Sequence, residues 1–486
     1  MSAGSSKAVR AKEPTSTRLF LPVLVASVFV TVLTAFMVNV VLPPIREDFA
    51  VSEAQLGWVV TGFMLVMAVG IPLYGRISDF YSMRLLFSLA LVVFAAGSLI
   101  CALAPNLPAL VFGRIVQAAG NAAIPSLATV AVARALPPGE RGGALGLIAS
   151  GIGAGTVVGP ILGGAVEQLA GWHAIFYASL FLSLLLVPGA LYALPDGDRG
   201  GERRLDLIGG LLLGLGAGLF LFGVTQGQAA GFASSSSWGS LLGAALAAAL
   251  FARRIASVPY PFIPPVLFGN RAYVAAVVVG GFSYLANISM YVFVPLLVVG
   301  VNGLSPAEAG LVLAPGAVAF AALSPLTGRL SDHLGVKPPV LAGLTVMALS
   351  VFFVSAFGAG ASPLTVSLGM LGIGIGFAFA NPPTTNAVAN ALPRSEVGAG
   401  MGIFQGLFFL GGGAGPALIG AFLAARRGAG AEALNPLYAL DDAPFSDAFL
   451  ALTAAVIVAM VAALGLRGGT EEGGKGPSRP GKGGVK

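Results

Sequence analysis

Fourteen stretches of this chain are apolar for long enough to cross a bilayer, which takes about 20 helical residues. Their approximate limits are 19–43, 55–75, 84–104, 108–134, 142–166, 172–194, 206–226, 237–253, 271–300, 306–328, 338–358, 362–389, 397–424 and 446–466. Hydrocarbon offers no water to a peptide group, so each stretch must satisfy its own backbone as a helix. Composition agrees. The 486 residues are 56% hydrophobic and 9% charged, with mean hydropathy +0.91, where a soluble domain carries about 25% charged residues. An all-α, polytopic membrane protein is the one class compatible with this pattern.

Charge orients the spans. An even number puts both termini on one side, and with that side inside, only Arg46, Arg426 and Arg427 of the 26 Lys and Arg fall outside. Arg114 lies within a span. This is the positive-inside distribution of a plasma-membrane protein with cytoplasmic termini. It also explains the pI near 9.6 without nucleic acid as a partner. The first apolar run follows a basic tail, 1–18, and is too long for a signal-peptide core of about 7–15 residues, so it reads as a retained span.

The chain repeats itself. GRISD at 75–79 recurs as GRLSD at 328–332, and VSEAQLG at 51–57 as LSPAEAG at 304–310, both at an offset of 253. AVARALP at 131–137 recurs as AVANALP at 387–393, and Gly159-Pro160 as Gly415-Pro416, both at 256. Spans one to six therefore match spans nine to fourteen in the same orientation. Parallel repeats form two bundles about an axis along the membrane normal, with a site between them near the midplane. The expected organisation is a tail 1–18, a first bundle 19–194, a linker 195–270 carrying two extra spans, a second bundle 271–466, and a tail 467–486.

Span five contains GIGAGTVVGPILGGAVE, from Gly151 to Glu167. Glycines at spacings of four give a helix a flat face on which others pack closely. Pro160 adds a bend. Gly155, Gly159, Pro160, Gly163 and Gly164, with Gly415 and Pro416 in the repeat, are the expected hinge. The duplicated loop carries a different chemistry. An aspartate such as Asp79 can complement a helix N-terminus, and Arg84 can pair with an acid across the gap between bundles. Gly75, Asp79 and Arg84, with Gly328 and Asp332 in the second copy, are the expected conformational latch.

These residues resemble the major facilitator superfamily. GRISD is similar to its loop motif, Arg114 with Gln117 and Gly120 to its fourth-helix motif, and Gly155, Gly159, Pro160, Gly163 and Gly164 to the fifth-helix motif of its drug:proton antiporters. Fourteen spans, PPVLFGNRAY entering span nine and WHAIF at 172–176 resemble the fourteen-helix branch of drug exporters. The resemblance implies two six-helix bundles related by a pseudo-two-fold, two inserted linking helices, alternating access, and a part for Arg114 in proton handling. It also marks departures. Phe80 stands where the loop motif carries a basic residue, Ser82 where it carries its next glycine, and Thr34 where the branch carries a span-one aspartate.

All 20 Asp and Glu fall in loops, tails or span ends, whereas a proton-coupled carrier uses an intramembrane Asp, Glu or His. Glu167, at the outer end of span five, is the nearest candidate, with Glu53 and Glu308 beside outer span starts. Arg114 either bonds carbonyls and snorkels outward or faces a central cavity. Gln117 and Asn121 stand on the same span. Thr34, Asn39, Asn287, Asn381, Thr385, Asn386 and Gln405 are cavity candidates, with Phe404, Phe408 and Phe409 beside the last. The outer loop 425–446 is either a tolerated surface loop or an extension of the substrate path. One cysteine and two histidines leave no material for a disulfide framework or a metal site. No P-loop pattern points to ATP, and no paired nucleophile and base points to an enzyme. No cofactor is expected. The reading is a monomeric secondary transporter of the bacterial inner membrane. It exports amphipathic drugs in exchange for protons, or lipids and hydrophobic metabolites with weak or absent coupling.

Overall fold

The computed structural model describes residues 17–196, 206–393, 396–429, 432–440 and 442–466. Residues 1–16 of the first tail, the whole of the last tail, the segment holding Arg199, Arg203 and Arg204, and Arg394 lie outside the described residues, as does the side chain of Glu53. Among the described residues, fourteen helices are long and apolar enough to span a membrane. The first bundle holds α1 (Thr17–Val40), two short helices, α2 (Leu42–Phe49) and α3 (Glu53–Leu56), then α4 (Trp58–Ile77), α5 (Met83–Ala102), α6 (Leu107–Ala135), α7 (Pro138–Ala170) and α8 (His173–Ala193). The insert is α9 (Leu207–Ala230) and α10 (Ser235–Ser257), followed by the short α11 (Val266–Gly269). The second bundle holds α12 (Arg271–Gly300), α13 (Pro306–Leu334), α14 (Lys337–Phe357), α15 (Pro363–Ala391), α16 (Val397–Ala429) and α17 (Ala443–Ala463).

Polar side chains start many of these helices by taking orphan N–H groups of the first turn. Ser82 accepts from Leu85, Asn106 from Ala109, Asp206 from Gly209 and Ser362 from Thr365. Ser305 and Glu308 form a capping box at α13. Prolines inside α4, α6, α7, α8, α12, α13, α15 and α16 are tolerated because helices in lipid have no competing solvent for their backbone.

The duplication is visible in the packing. α1 packs on α7 as α12 does on α16, α4 on α6 as α13 does on α15, and α5 on α8 as α14 does on α17. Two seams join the bundles, α7 with α13 and α4 with α16, and they are the same seam under the pseudo-two-fold. Both are built on glycine. In α7, Gly142 and Gly146 meet Gly328 and Ser324 of α13, while Gly153 meets Phe320. In the other seam Gly75 meets Gly398 and Gly402, and Gly406 meets Pro72.

The expected hinge glycines have a definite address. Gly155, Gly159 and Gly163 lie against Leu33, Phe36 and Met37 of α1, and Gly164 comes near only Val40. Gly415 lies against Leu285 and Ser289 of α12, with Pro416 following in the same helix. The glycines of α7 therefore serve two faces, one toward α1 and one toward the opposite bundle.

A Cβ on Gly75 would collide with the Cα of Gly402 and the carbonyl of Gly398, whereas Gly139 has open space around it. Overpacking a close contact costs about 1–3 kcal/mol. Gly75→Ala should therefore lower the melting temperature in detergent, and Gly139→Ala should leave it unchanged.

Candidate functional site

The face where both copies of the duplicated loop lie is closed by reciprocal contacts between bundles. Asp79 follows the end of α4, and its two carboxylate oxygens accept from the N–H groups of Gly398 (3.0 Å) and Ala399 (3.1 Å) in the first turn of α16. Asp332 in the last turn of α13 accepts from Gly142 and Gly143 of α7, both at 2.9 Å. Each aspartate thus holds the beginning of a helix in the other bundle, where partial positive charge favours an anion. The two sites differ in their surroundings. Arg134 and Arg76 both donate to Asp79, and Arg76 also reaches Glu396 at 3.4 Å and the Pro261 carbonyl at 3.3 Å. Burial pushes the Asp79 carboxyl above the ordinary carboxylate range, against the pull of Arg134 and Arg76 and the Ala399 N–H. Asp332 instead takes the amide of Asn386 at 3.1 Å.

Three expected assignments move. Arg84 donates to the Leu194 carbonyl and to Asp196, so these bonds tie α5 to the end of α8 within one bundle. Arg76 and Arg141 do cross between the bundles, Arg76 to Glu396 and Arg141 to the Ala389 carbonyl and Asn390. Asn386 belongs to the latch, bonding Ser331 and Asp332. Thr385 turns its hydroxyl back onto the Asn381 carbonyl, so it offers a cavity little beyond its methyl group.

Arg114 is fully enclosed. It donates to the Val59 carbonyl (3.4 Å) and to Gln117 (2.5 Å), and its guanidinium lies 4.0 Å from the centre of the Phe63 ring. Gln117 continues the chain to Ser98. These contacts stitch α4, α5 and α6 together, and Asn121 one turn on is buried with its carbonyl oxygen unpaired. Thr34 is also enclosed, 2.8 Å from the Ser179 hydroxyl of α8. Asn39 lies exposed at the far end of α1, and Glu167 is half-buried near the far end of α7. The loop expected at 425–446 is anchored: Asp447 is buried, binds Arg426 and accepts from the Leu434 N–H, while Asn435 donates to Ser355.

The second bundle holds an aromatic cluster at mid-length of its helices. Tyr284 of α12 stacks on Phe408 of α16 with ring centres 3.8 Å apart and lies 6.0 Å from Phe377 of α15. Phe377 is 5.1 Å from Phe320 of α13, and Phe409 lies 5.7 Å from both Tyr284 and Phe408. The cluster reaches the first bundle twice, because Phe320 meets Gly153 of α7 and Phe409 packs beside Phe63, Met67 and Ile71. Asn287, Gln405 and Asn381 stand one helical turn from Tyr284, Phe408 and Phe377. Among the described residues their side-chain amides make no hydrogen bond. The arrangement can hold a flat apolar ring by stacking, attract a cation through the ring faces, and orient a polar group with the amides. Sequence reasoning named Phe404, Phe408, Phe409, Asn287, Asn381 and Gln405, and missed Tyr284, Phe320 and Phe377. Their position halfway along matched spans is the signal that would have found them.

Removing the Asp79 carboxylate leaves Arg76 and Arg134 without it, and stripping one partner from a buried ion pair costs about 3–5 kcal/mol. Arg134 keeps 30% of its side chain exposed, which lowers that figure. Asp332→Asn loses one acceptor without stranding a cation. Asp79→Asn should therefore open the latch further than Asp332→Asn, measured as thiol reactivity of Gly143→Cys toward a water-soluble maleimide.

Comparison with known proteins agrees with this architecture. The family model described as Major Facilitator Superfamily matches residues 24–207 and 276–484. The chain is 31% identical over 398 residues, 82% of its length and 74% of the relative's, to the multidrug resistance protein Stp of Mycobacterium tuberculosis. It is 27% identical to the tetracenomycin C resistance and export protein of Streptomyces glaucescens, over 82% of this chain and 75% of that one. The crystal structure of the human organic anion transporter MFSD10 superposes with a TM-score of 0.68 at 16% identity, covering 92% of this chain and 99% of that one. With two bundles, a reciprocal latch and the family model matched in both repeats, the chain belongs to the Major Facilitator Superfamily, in its drug-efflux branch.

Proposed function

We propose that this protein exports flat, amphipathic small molecules by alternating access, binding them at the aromatic cluster between the bundles. The cluster carries the reading. It is neutral, stands at mid-depth, touches both bundles, and offers unpaired amides beside stacked rings. Closure of the latch face by Asp79 and Asp332 supports a cycle in which the bundles rock about that site. The relatives named for multidrug resistance and for tetracenomycin C resistance and export support a drug as the exported molecule. The chain works as a monomer in the bacterial inner membrane, with the latch face and both termini in the cytoplasm. This orientation follows from the Lys and Arg distribution.

Proton exchange drives the export in this reading, with Glu167, half-buried near the far end of α7, as the candidate acid. A second reading is favoured by one observation. Thr34, at the position of the branch's aspartate, is spent on a bond to Ser179, so the same fold can export lipids or hydrophobic metabolites with weak or absent coupling.

Reconstitution in liposomes tests both readings. Uptake of a planar cationic dye under an imposed pH gradient, lost on collapsing the gradient and in Glu167→Gln, supports antiport. Uptake indifferent to the gradient favours the second reading. At the site, an aromatic pair contributes about 0.5–1.5 kcal/mol beyond its buried area. Tyr284→Ala and Phe408→Ala should therefore each raise KM for the dye by up to roughly tenfold. An unchanged KM in both would place the substrate elsewhere.

A further inference from the structure

Arg76 stands where three parts of the chain meet. It lies in the last turn of α4 and is buried. Its Nη1 donates to Asp79 at 3.0 Å and, across the seam, to Glu396 beside the start of α16 at 3.4 Å. Its Nη2 donates to the Pro261 carbonyl at 3.3 Å. Its Nε has no partner among the described residues. A buried cation depends on each acceptor within reach, so the aim of this guanidinium rests in part on a carbonyl that neither bundle supplies. Arg329, the repeat mate of Arg76 at the 253 offset, is exposed on the other seam.

The insert supplies that carbonyl, and Asp206 holds it in place. The Asp206 side chain is buried. It accepts from the Gly209 N–H at 3.0 Å as the cap of α9, from Arg254 in the last turn of α10 at 2.7 Å, and from the Phe262 N–H at 3.3 Å. One carboxylate thus gathers the start of α9, the end of α10 and the residue after Pro261. Phe262 is itself buried, and a Cβ on Gly209 or Gly210 would press on it. Proline occupies positions 259, 261, 264 and 265, and each fixes its own φ. The seat of Phe262 therefore sets where the Pro261 carbonyl points.

The same segment then enters the second bundle. Asn270 caps α12 by accepting from the Ala272 and Tyr273 N–H groups, and it donates to the Ala391 carbonyl at the end of α15 at 2.8 Å. The Tyr273 hydroxyl donates to the Gly400 carbonyl of α16. Residues 261–270 are fastened to α4 at one end and to α12 and α15 at the other, on the face that both aspartates close.

We propose that Asp206 is a positioning residue of the latch and that the two inserted helices are its mount. Through residues 261–270 the insert keeps Arg76 aimed at Asp79 and Glu396 and braces the closed face as a third tie between the bundles. This gives the added helices a task in the conformational cycle, whatever molecule is carried.

Thiol reactivity of Gly143→Cys toward a water-soluble maleimide tests this, because Gly143 lies on the other seam and touches no part of the insert. Asp206→Ser keeps a capping oxygen for α9 but is too short to reach Arg254 or Phe262. It should raise the labelling rate several-fold, and an unchanged or slower rate would overturn the proposal. A second variant guards against misfolding of the first. Gly-Ser-Gly inserted after Gly269, where a Cβ would meet nothing within 4 Å, adds about 10 Å of chain and leaves Asp206 and Arg76 untouched. It should also raise the rate, and if Asp206→Ser does not fold, an unchanged rate here overturns the proposal alone. In an Arg76→Gln background Asp206→Ser should add little further, since the two residues act in series. A full additional increase would mean general loosening of the fold and would equally overturn it. No transported molecule enters these measurements, so their outcome is separate from that of the export reading.

Discussion

Each bundle lends the other a carboxylate. Asp79 ends a helix of the first repeat and caps one of the second, and Asp332 returns the contact. A carboxylate accepting from backbone N–H groups is charge-assisted, and at the start of α16 those N–H groups have no partner within their own helix. With both contacts made, the two bundles are held in one arrangement on this face. The glycines that line the seams follow from this. Gly142 must present its N–H to Asp332 and let Gly328 approach, and Gly398 must do the same for Asp79 and Gly75. Any side chain there would hold the helices apart at the point where the cap has to close.

The two caps are not equal, and one difference is written in the repeat. AVARALP carries Arg134 where AVANALP carries Asn390. Arg134 adds a guanidinium to Asp79, while Asn390 bonds Asn386 and accepts from Arg141. Charged hydrogen bonds are roughly twice as strong as neutral ones, so the Asp79 cap is the tighter of the two. α9 lies over that same seam.

Much of this was legible in the sequence, because hydropathy marks spans and a constant offset marks duplication. The two aspartates that bond across the bundles were legible as a pair too, since a copied motif at a matched loop asks for a shared job. What a helix turns toward was not. The glycines of α7 form two rows with the same spacing, one for α1 and one for α13, and spacing alone does not divide them. Asn386 reads as a polar residue deep in span twelve, yet its amide is spent on Asp332. Arg84 sits where a crossing partner belongs and bonds Leu194 and Asp196 of its own bundle, while Arg76 and Arg141 cross from positions that read as ordinary helix ends. Tyr284, Phe320 and Phe377 are hidden among many aromatics, and only a common depth in matched helices separates them from lipid-facing rings.

Arg114 shows how a neutral site and an intramembrane charge coexist in one chain. A buried cation must have partners, and here they are a backbone carbonyl, an amide oxygen and the face of Phe63 rather than an acid. All three lie on α4 and α6, so the charge binds neighbouring helices of one bundle and leaves the opposite bundle free of it. Phe63 in turn lies in the small apolar cluster on which Phe409 packs. The ring that neutralises the cation thus separates it from the aromatic site. In the proposed binding mode, a molecule stacked on Tyr284 and Phe408 would meet π faces and amides, with the formal charge one ring away, and affinity there would follow shape and aromatic area more than the sign of the ligand.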